Sequence, residues 1–405
     1  MLNIFDTLLI FLSTFIILLS FVLFYIKIEY PTSKIADIFR IKRKSKEENK
    51  VRVRFAPSPT GFLHIGNIRT LLFNYFFAAN MKGSLILRIE DTDEKRYDSR
   101  AIKYLKDVCK WLKIEFEEDP YKGGPYAPYI QSQRADIYKK YVSYLIEKGY
   151  AYRAFESVEE LDALKQKYSK FSYNNITRYM VDTKNELNMK PKEIKDALAS
   201  GIDFVVRLKV PEKEDIICHD FIRDLKNKTI TVSSKEMDDK VLWKSSTGLP
   251  TYHLASVVDD HLMKISHVIR GDEWLASLPH HILLYRYFGW TPPIFVHTPV
   301  LLDPTGNGKL SKRKEYDFPV FPISYKGDDV DIKGFREEGF NREGFINFLM
   351  LNGWNPGNDL EIMTIHEITK LFSLERIKMS PSKFNWDKAK FINKKHIKKE
   401  SNEKS

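Results

Sequence analysis

Arg54-Phe-Ala-Pro-Ser-Pro-Thr-Gly-Phe-Leu-His-Ile-Gly-Asn67 is a strand running into a turn and out into a helix. Val51, Val53 and Phe55 alternate with Arg52 and Arg54 at the period of a short strand, and Pro57, Pro59 and Gly61 forbid its continuation. Ile68, Leu71, Leu72 and Tyr75 then recur at helical spacing, which puts His64 to Asn67 at a helix N-terminus. Backbone N–H groups and the positive end of the helix dipole point outward there, and glycines let the backbone approach a ligand closely: a seat for nucleotide phosphates. An ordinary strand-turn-helix in which His64 and Asn67 merely cap fits a bare H-x-G-x as well, so a second signal is needed.

Lys309-Leu-Ser-Lys-Arg313 supplies it, preceded by Asp303-Pro-Thr-Gly-Asn-Gly308. A glycine-rich loop carrying Lys309, Lys312 and Arg313 suits the clamping of a polyphosphate as charge moves onto its oxygens. Together the two segments resemble the signatures of class I aminoacyl-tRNA synthetases, the HIGH motif as His64-Ile-Gly-Asn67 and the KMSKS motif as Lys309 to Arg313. Phe55 to Gly61, Arg88-Ile-Glu-Asp-Thr-Asp93, Pro250-Thr-Tyr-His-Leu254, Val257-Val-Asp-Asp-His261 and Val268-Ile-Arg-Gly-Asp-Glu-Trp274 narrow the resemblance. From about residue 50 to about 397 the chain is similar to bacterial-type glutamyl-tRNA synthetases.

A chain of 405 residues calls for about two or three domains. The formal net charge of +11 favours an anionic partner, and nucleic acid fits. Cys109 and Cys218 are too few for a Cys-based zinc site or a disulfide framework. No zinc, no other metal site and a reducing compartment are expected, with each thiol a small apolar residue. Within residues 1–30, the uncharged run Thr7 to Ile26 reaches roughly 30 Å at about 1.5 Å per residue, the thickness of bilayer hydrocarbon. Asp6 stands where a secretory signal carries basic residues, and no small-x-small cleavage site comes after it. Lys27, Lys34, Arg40, Lys42, Arg43, Lys44 and Lys46 come next, an arrangement that keeps the C-terminal side of the run in the cytoplasm. Two readings stand: a membrane contact through residues 7–26 that anchors a cytoplasmic catalytic part, or a start assigned upstream of a cytoplasmic enzyme.

Residues 31–49, charged and opened by Pro31, read as a linker. From 50 to 150 strand alternates with helix. Leu85 to Ile89 is a buried strand ending at Glu90; Ile102, Leu105, Val108 and Leu112 stripe one helix, and Ile137, Tyr141, Leu145 and Ile146 another. Such units predict an α/β fold, a doubly wound parallel sheet of Rossmann type with its site at the carboxyl ends of the strands. Residues 151–245 read as an α+β insertion, with strands at Phe204 to Val210 and Thr229 to Ser233. Residues 246–315 return to the sheet and 316–397 are helical, their last packed turn carrying Phe384, Trp386, Phe391 and Ile392; 398–405 read as a polar tail.

The resemblance implies the chemistry: ATP-dependent activation of L-glutamate to glutamyl-adenylate, then transfer to the 3′ end of tRNA(Glu), with Mg²⁺ accompanying ATP. It assigns the insertion to the tRNA acceptor arm and residues 316–397 to stem contact. His64, Asn67, Lys309 and Lys312 are the implied catalytic residues, joined around ATP by Gly66, Glu273, Trp274 and Ser311. Arg54, Ala56, Ser58, Glu90, Tyr252, Ser256 and Arg270 are the implied glutamate pocket, with Arg54 facing the side-chain carboxylate and Ser58 and Glu90 receiving the ammonium. A packed, bidentate arginine holds a carboxylate and leaves glutamine's amide poorly paired. Two departures stand out: Ser256 occupies a position that is usually Asn in the family, and the helical anticodon-binding region has no counterpart. The alternatives are a glutamyl-queuosine synthetase acting on tRNA(Asp), which normally carries a zinc site and lacks the long segment after the Lys309 loop, and an inactive, membrane-tethered tRNA-binding relic.

Overall fold

The computed structural model describes residues 50–169, 171–311, 314–327 and 329–403. The apolar run 7–26, the linker 31–49, Lys312 and Arg313 lie outside them. From Val51 onward the chain forms one compact unit.

Strand β1 (Arg52–Phe55) feeds helix α1 (Ile65–Asn80), which returns to β2 (Ser84–Leu87), parallel to β1 with Arg54 beside Ile86. Helix α1 buries Ile65, Ile68, Leu71, Leu72, Phe73 and Phe76, so it is apolar nearly all round and runs through the core. Helix α2 (Ser99–Leu112) buries Leu105, Val108 and Leu112, as their spacing predicts. Helix α3 (Ala135–Glu147) is rotated from its predicted stripe: Tyr138, Val142 and Leu145 are buried, whereas Ile137, Tyr141 and Ile146 are half-covered. The cause is a polar anchor, the Tyr138 hydroxyl donating to buried Asp259 at 2.8 Å.

The next segment builds an antiparallel sheet from β3 (Ala151–Ala154), β4 (Val205–Leu208) and β7 (Val241–Lys244), in the order β3-β4-β7. It also holds a hairpin of β5 (Asp215–Cys218) and β6 (Ile230–Ser233), and helices α4 (Val158–Lys167), α5 (Pro191–Ala199) and α6 (Phe221–Asp224). The chain then re-enters the parallel layer through α7 (Tyr252–Leu262), β8 (His267–Gly271), α8 (Leu278–Tyr287) and β9 (Ile294–Thr298). Strands β8 and β9 pair in parallel with Arg270 beside His297. The two parallel pairs meet where Arg52 N donates to Ser266 Oγ at 2.8 Å and Ser266 N donates to the Arg52 carbonyl at 2.9 Å. That junction brings the carboxyl ends of β1 and β8 side by side, where a doubly wound sheet places its ligands.

Beyond the short strands β10 (Leu301–Leu302), β11 (Tyr325–Lys326) and β12 (Asp331–Ile332), helices α9 (Arg342–Leu351) and α10 (Ile365–Leu371) lead through β13 (Ser382–Lys383) to α11 (Trp386–Glu403). Phe345, Trp354 and Ile392 from this region share one core with Phe55, Phe73 and Leu105. One expectation is corrected here: Phe391, expected in the packing, is exposed; α11 itself runs on to Glu403, with residues 398–402 polar and exposed. Ala389, Ile392, Asn393 and His396 form the buried stripe instead, at the i, i+3, i+4, i+7 spacing of one helix face, with His396 Nε2 2.9 Å from Asn347 Oδ1. Cys109 and Cys218 are free and buried, and burial pushes both thiols up to about 12.

Candidate active site

His64 is the N-cap of α1, and its cap explains the spacing of the motif. Its Nδ1 accepts from Gly66 N at 2.9 Å, while Asn67 Oδ1 accepts from His64 N at 3.2 Å, a reciprocal capping box. Gly66 has to be glycine because a Cβ there would lie 2.7 Å from His64 Cε1. The capping role that sequence alone allowed is therefore real, and it fixes both side chains at the rim of a cleft of about 550 Å³. Six of the expected glutamate residues, Arg54, Ala56, Ser58, Glu90, Tyr252 and Arg270, line that cleft together with His64, Asn67, Glu273 and Trp274. Ser256 does not: it is buried on α7 one turn behind Tyr252, and its Oγ has no hydrogen-bond partner among the described residues.

Under the cleft lies a layer of buried charge. Asp260 accepts from Arg54 Nε at 3.0 Å and Nη2 at 3.4 Å, and from Arg88 Nη1 at 2.8 Å. Arg88 Nη2 donates to Glu90 Oε1 at 2.9 Å. The adjacent Asp259 takes Arg134 Nε at 2.8 Å, Gln131 Nε2 at 3.0 Å and the Tyr138 hydroxyl. Arg54, Arg88 and Arg134 thus balance Glu90, Asp259 and Asp260, as burial requires. Burial pushes the Asp260 carboxyl up, but Arg54 and Arg88 outweigh it and hold the group below the usual carboxylate range. For Glu90 burial wins over Arg88, and its carboxyl sits above that range. Of the Arg54 guanidinium, only Nη1 has no protein acceptor among the described residues.

Arg270 is held differently. Its Nε donates to His297 Nε2 at 2.9 Å, Nη1 to the Tyr252 hydroxyl at 3.0 Å and Nη2 to the Trp274 carbonyl at 3.3 Å, with His281 Nδ1 3.3 Å from Nη1. Trp274 packs over Tyr252 with ring centroids 4.1 Å apart. At the far rim, a smaller recess joins His64, Gly66 and Asn67 to Glu273 and Lys309. Lys309 Nζ lies 3.5 Å from Glu273 Oε1, across half-exposed side chains, so this bridge contributes about 1 kcal/mol at most. The turn before Lys309 is closed by Asp303, whose Oδ1 accepts from Thr305 Oγ1, Thr305 N and Gly306 N. Ser311 N faces the Tyr316 hydroxyl at 3.4 Å, and Lys312 is outside the described residues.

Comparison with known proteins is decisive at this point. A sequence model of the tRNA synthetases class I (E and Q) catalytic domain matches residues 50–391. The chain belongs to the class I tRNA synthetases for glutamate and glutamine. It is 51% identical to the glutamate-tRNA ligase of Phocaeicola vulgatus over 363 residues, covering 88% of this chain and 70% of the relative. It is 50% identical to that of Bacteroides fragilis, over 87% of this chain and 70% of the relative. The solved glutamate tRNA ligase of Elizabethkingia meningosepticum, in complex with its amino acid, is similar at TM-score 0.82 and 42% identity, covering 86% of this chain and 70% of that one. The function is that of a glutamate-tRNA ligase, an enzyme that forms aminoacyl-tRNA.

Sequence reading of this synthetase missed the supporting layer. Arg88, Asp259, Asp260, Gln131 and Arg134 were visible only as parts of motifs, and their mutual pairing spans up to 172 residues of sequence. The signal was Asp259-Asp260 inside an otherwise apolar helix, a place where carboxylates persist only when paired. Lys244, at the end of β7, also lines the cleft and had no signal at all.

Proposed function

We propose that this cleft binds L-glutamate beside ATP and that the chain ligates the amino acid to tRNA(Glu) in two steps. Glutamate's α-carboxylate attacks the α-phosphate of ATP, forming glutamyl-adenylate and releasing pyrophosphate; the terminal ribose hydroxyl of the tRNA then takes the glutamyl group and AMP leaves. No protein nucleophile is needed, so positioning and charge stabilisation carry the rate. Arg54 offers Nη1 to the side-chain carboxylate, Arg270 and Tyr252 complete the pocket, and Glu90 with Ser58 receives the ammonium. His64 and Asn67 address the phosphates from the start of α1, and Glu273 and Trp274 lie toward the adenosine. Lys309, with Lys312 and Ser311 of the same loop, tracks the charge on the leaving pyrophosphate. Mg²⁺ is expected to arrive on the triphosphate and supply charge neutralisation: among the described residues no group of three or more His, Cys, Asp or Glu could hold a metal by itself. Lys and Arg side chains of the insertion and of the C-terminal helices would meet the tRNA through its phosphates. The chain's work then lies in the cytoplasm, and among the described residues no helix is long and apolar enough to cross a membrane.

The observation that carries this reading is the convergence of Arg54, Glu90 and Arg270 on one cleft whose rim is the capped N-terminus of α1. The test is glutamylation of total cellular tRNA by the purified chain, with Lys312→Ala as the blank. Arg54→Gln is expected to raise the glutamate KM by about tenfold or more, since a hydrogen bond to a charged group is lost, and to leave the ATP KM unchanged. Absence of charging by a folded protein that still binds ATP and tRNA would overturn the reading in favour of a tethered binding protein.

A further inference from the structure

We infer that Asp220 and His297 are positioning residues for Arg270, so that a carboxylate in the insertion sets the orientation of a guanidinium in the amino-acid pocket. This rests on the proposed role of Arg270 in holding glutamate. Asp220 is fully buried where it caps α6, and its Oδ2 accepts from both His297 N and His297 Nδ1, each at 2.8 Å. Its Oδ1 accepts from Arg223 N at 3.1 Å and Arg223 Nη1 at 3.2 Å. With Nδ1–H committed to Asp220, a neutral His297 turns the lone pair of Nε2 toward Arg270 Nε, 2.9 Å away. The opposite tautomer would aim N–H at N–H. Burial keeps the imidazole neutral, at about 4, against the pull of Asp220.

The arrangement differs in kind from the neighbouring arginines. Arg54 and Arg88 sit directly on carboxylates, which fix them and offset part of their charge. Among the described residues, every hydrogen-bonding partner of the Arg270 guanidinium is neutral, namely two imidazoles, a phenol and a backbone carbonyl, and the ring beneath it is that of Phe295. Its plane is fixed while its charge stays available to a substrate carboxylate, and the compensating anion stands one imidazole further away. Arg223 ties the same short helix to the segment after Arg270, through Asp272 Oδ1 at 2.6 Å.

Asp220→Asn in the full chain is the direct test. The substitution preserves shape, but every group facing Asp220 is a donor, so whichever way the amide turns, its NH₂ meets an N–H. In pyrophosphate exchange with tRNA present, the glutamate KM is expected to rise about tenfold while the ATP KM holds within about twofold. His297→Gln, whose amide oxygen can stand in for Nε2, is expected to retain more glutamate affinity than His297→Phe. In spectra of ¹⁵N-histidine-labelled protein, His297 is expected as the Nδ1-protonated tautomer in the parent and as a mixture in Asp220→Asn. If Asp220→Asn does not fold, the His297 pair and the parent's tautomer decide. Arg270→Gln separates the two levels of the claim: an unchanged glutamate KM there sinks the pocket reading itself. A raised KM there, with Asp220→Asn and His297→Phe folded and unaltered, overturns the relay alone. A fall in kcat with both KM values intact also overturns it, because that is what a merely structural contact would do.

Discussion

Replacing Asp260 by asparagine should destabilise the protein far more than any surface charge change, because Asp260 is, among the described residues, the only carboxylate ion-paired to both Arg54 and Arg88. Three donors converge on it, at 3.0, 3.4 and 2.8 Å, and all the side chains involved are buried. The amide keeps the shape and one acceptor oxygen, but it turns a balanced cluster into one with a surplus positive charge. Removing one partner of a buried pair costs about 3–5 kcal/mol, and the retained oxygen places this case near about 3. The exposed Lys388–Glu361 pair, at 2.6 Å with both side chains about half in solvent, is the control: screening leaves it about 0–1 kcal/mol. In urea, with a slope of about 3 kcal/mol per M for a chain of this size, Asp260→Asn should lower the unfolding midpoint by about 1 M. Lys388→Ala should barely move it. Tryptophan fluorescence reports the transition, and the glutamate KM should rise in parallel as Arg54 loses its Nε clamp. If the midpoint for Asp260→Asn shifts no more than that for Lys388→Ala, the idea that this buried layer is a balanced electrostatic unit is wrong.

Gly66→Ala places a Cβ 2.7 Å from His64 Cε1 and 2.9 Å from Nδ1, so the ring must leave its cap; ATP KM should rise and kcat fall, each by about tenfold or more, in a protein whose stability changes little. Wild-type kinetics in that variant would show that the His64 position is immaterial. Burial above all holds His253 at about 3, His267 and His297 at about 4, and His281 well below its ordinary value. Between pH about 6.5 and about 4 the unfolded chain therefore binds more protons than the folded one, and stability falls with pH by up to about 1.4 kcal/mol per unit for each such histidine. Urea midpoints at pH 7.5 and 5.5 check the sign; equal midpoints refute it.

The elements themselves were legible where burial is one-sided. Leu105, Val108 and Leu112 announce their helix because a helix with one wet face must repeat its apolar residues at helical spacing. Legibility failed where polar groups carry the packing. Tyr138 falls outside the stripe read for its helix and is buried by its bond to Asp259; Asn393 and His396 fall outside the apolar positions read for the last helix and are part of its inner stripe. Arg54 is the sharpest case. Its alternation with Val53 and Phe55 has the pattern of a strand with one solvated face, yet Arg54 is buried, because Asp260 neutralises it from a helix 206 residues away.

The sequence by itself determined the family-bearing motifs, the parallel α/β class and most of the residues around the cleft, because these depend on local spacing: a strand, a turn and a capped helix must be contiguous to hold His64, Gly66 and Asn67 in place. Only the tertiary structure decided which charges cancel and which remain for a substrate. That depends on pairings such as Arg54 with Asp260 and Arg270 with His297 and, through it, Asp220, whose members come from separate elements and meet only when both halves of the sheet and the insertion have folded together. Chain order records which residues are present; Coulomb energy in a buried site depends on distances of a few ångströms that chain order does not contain.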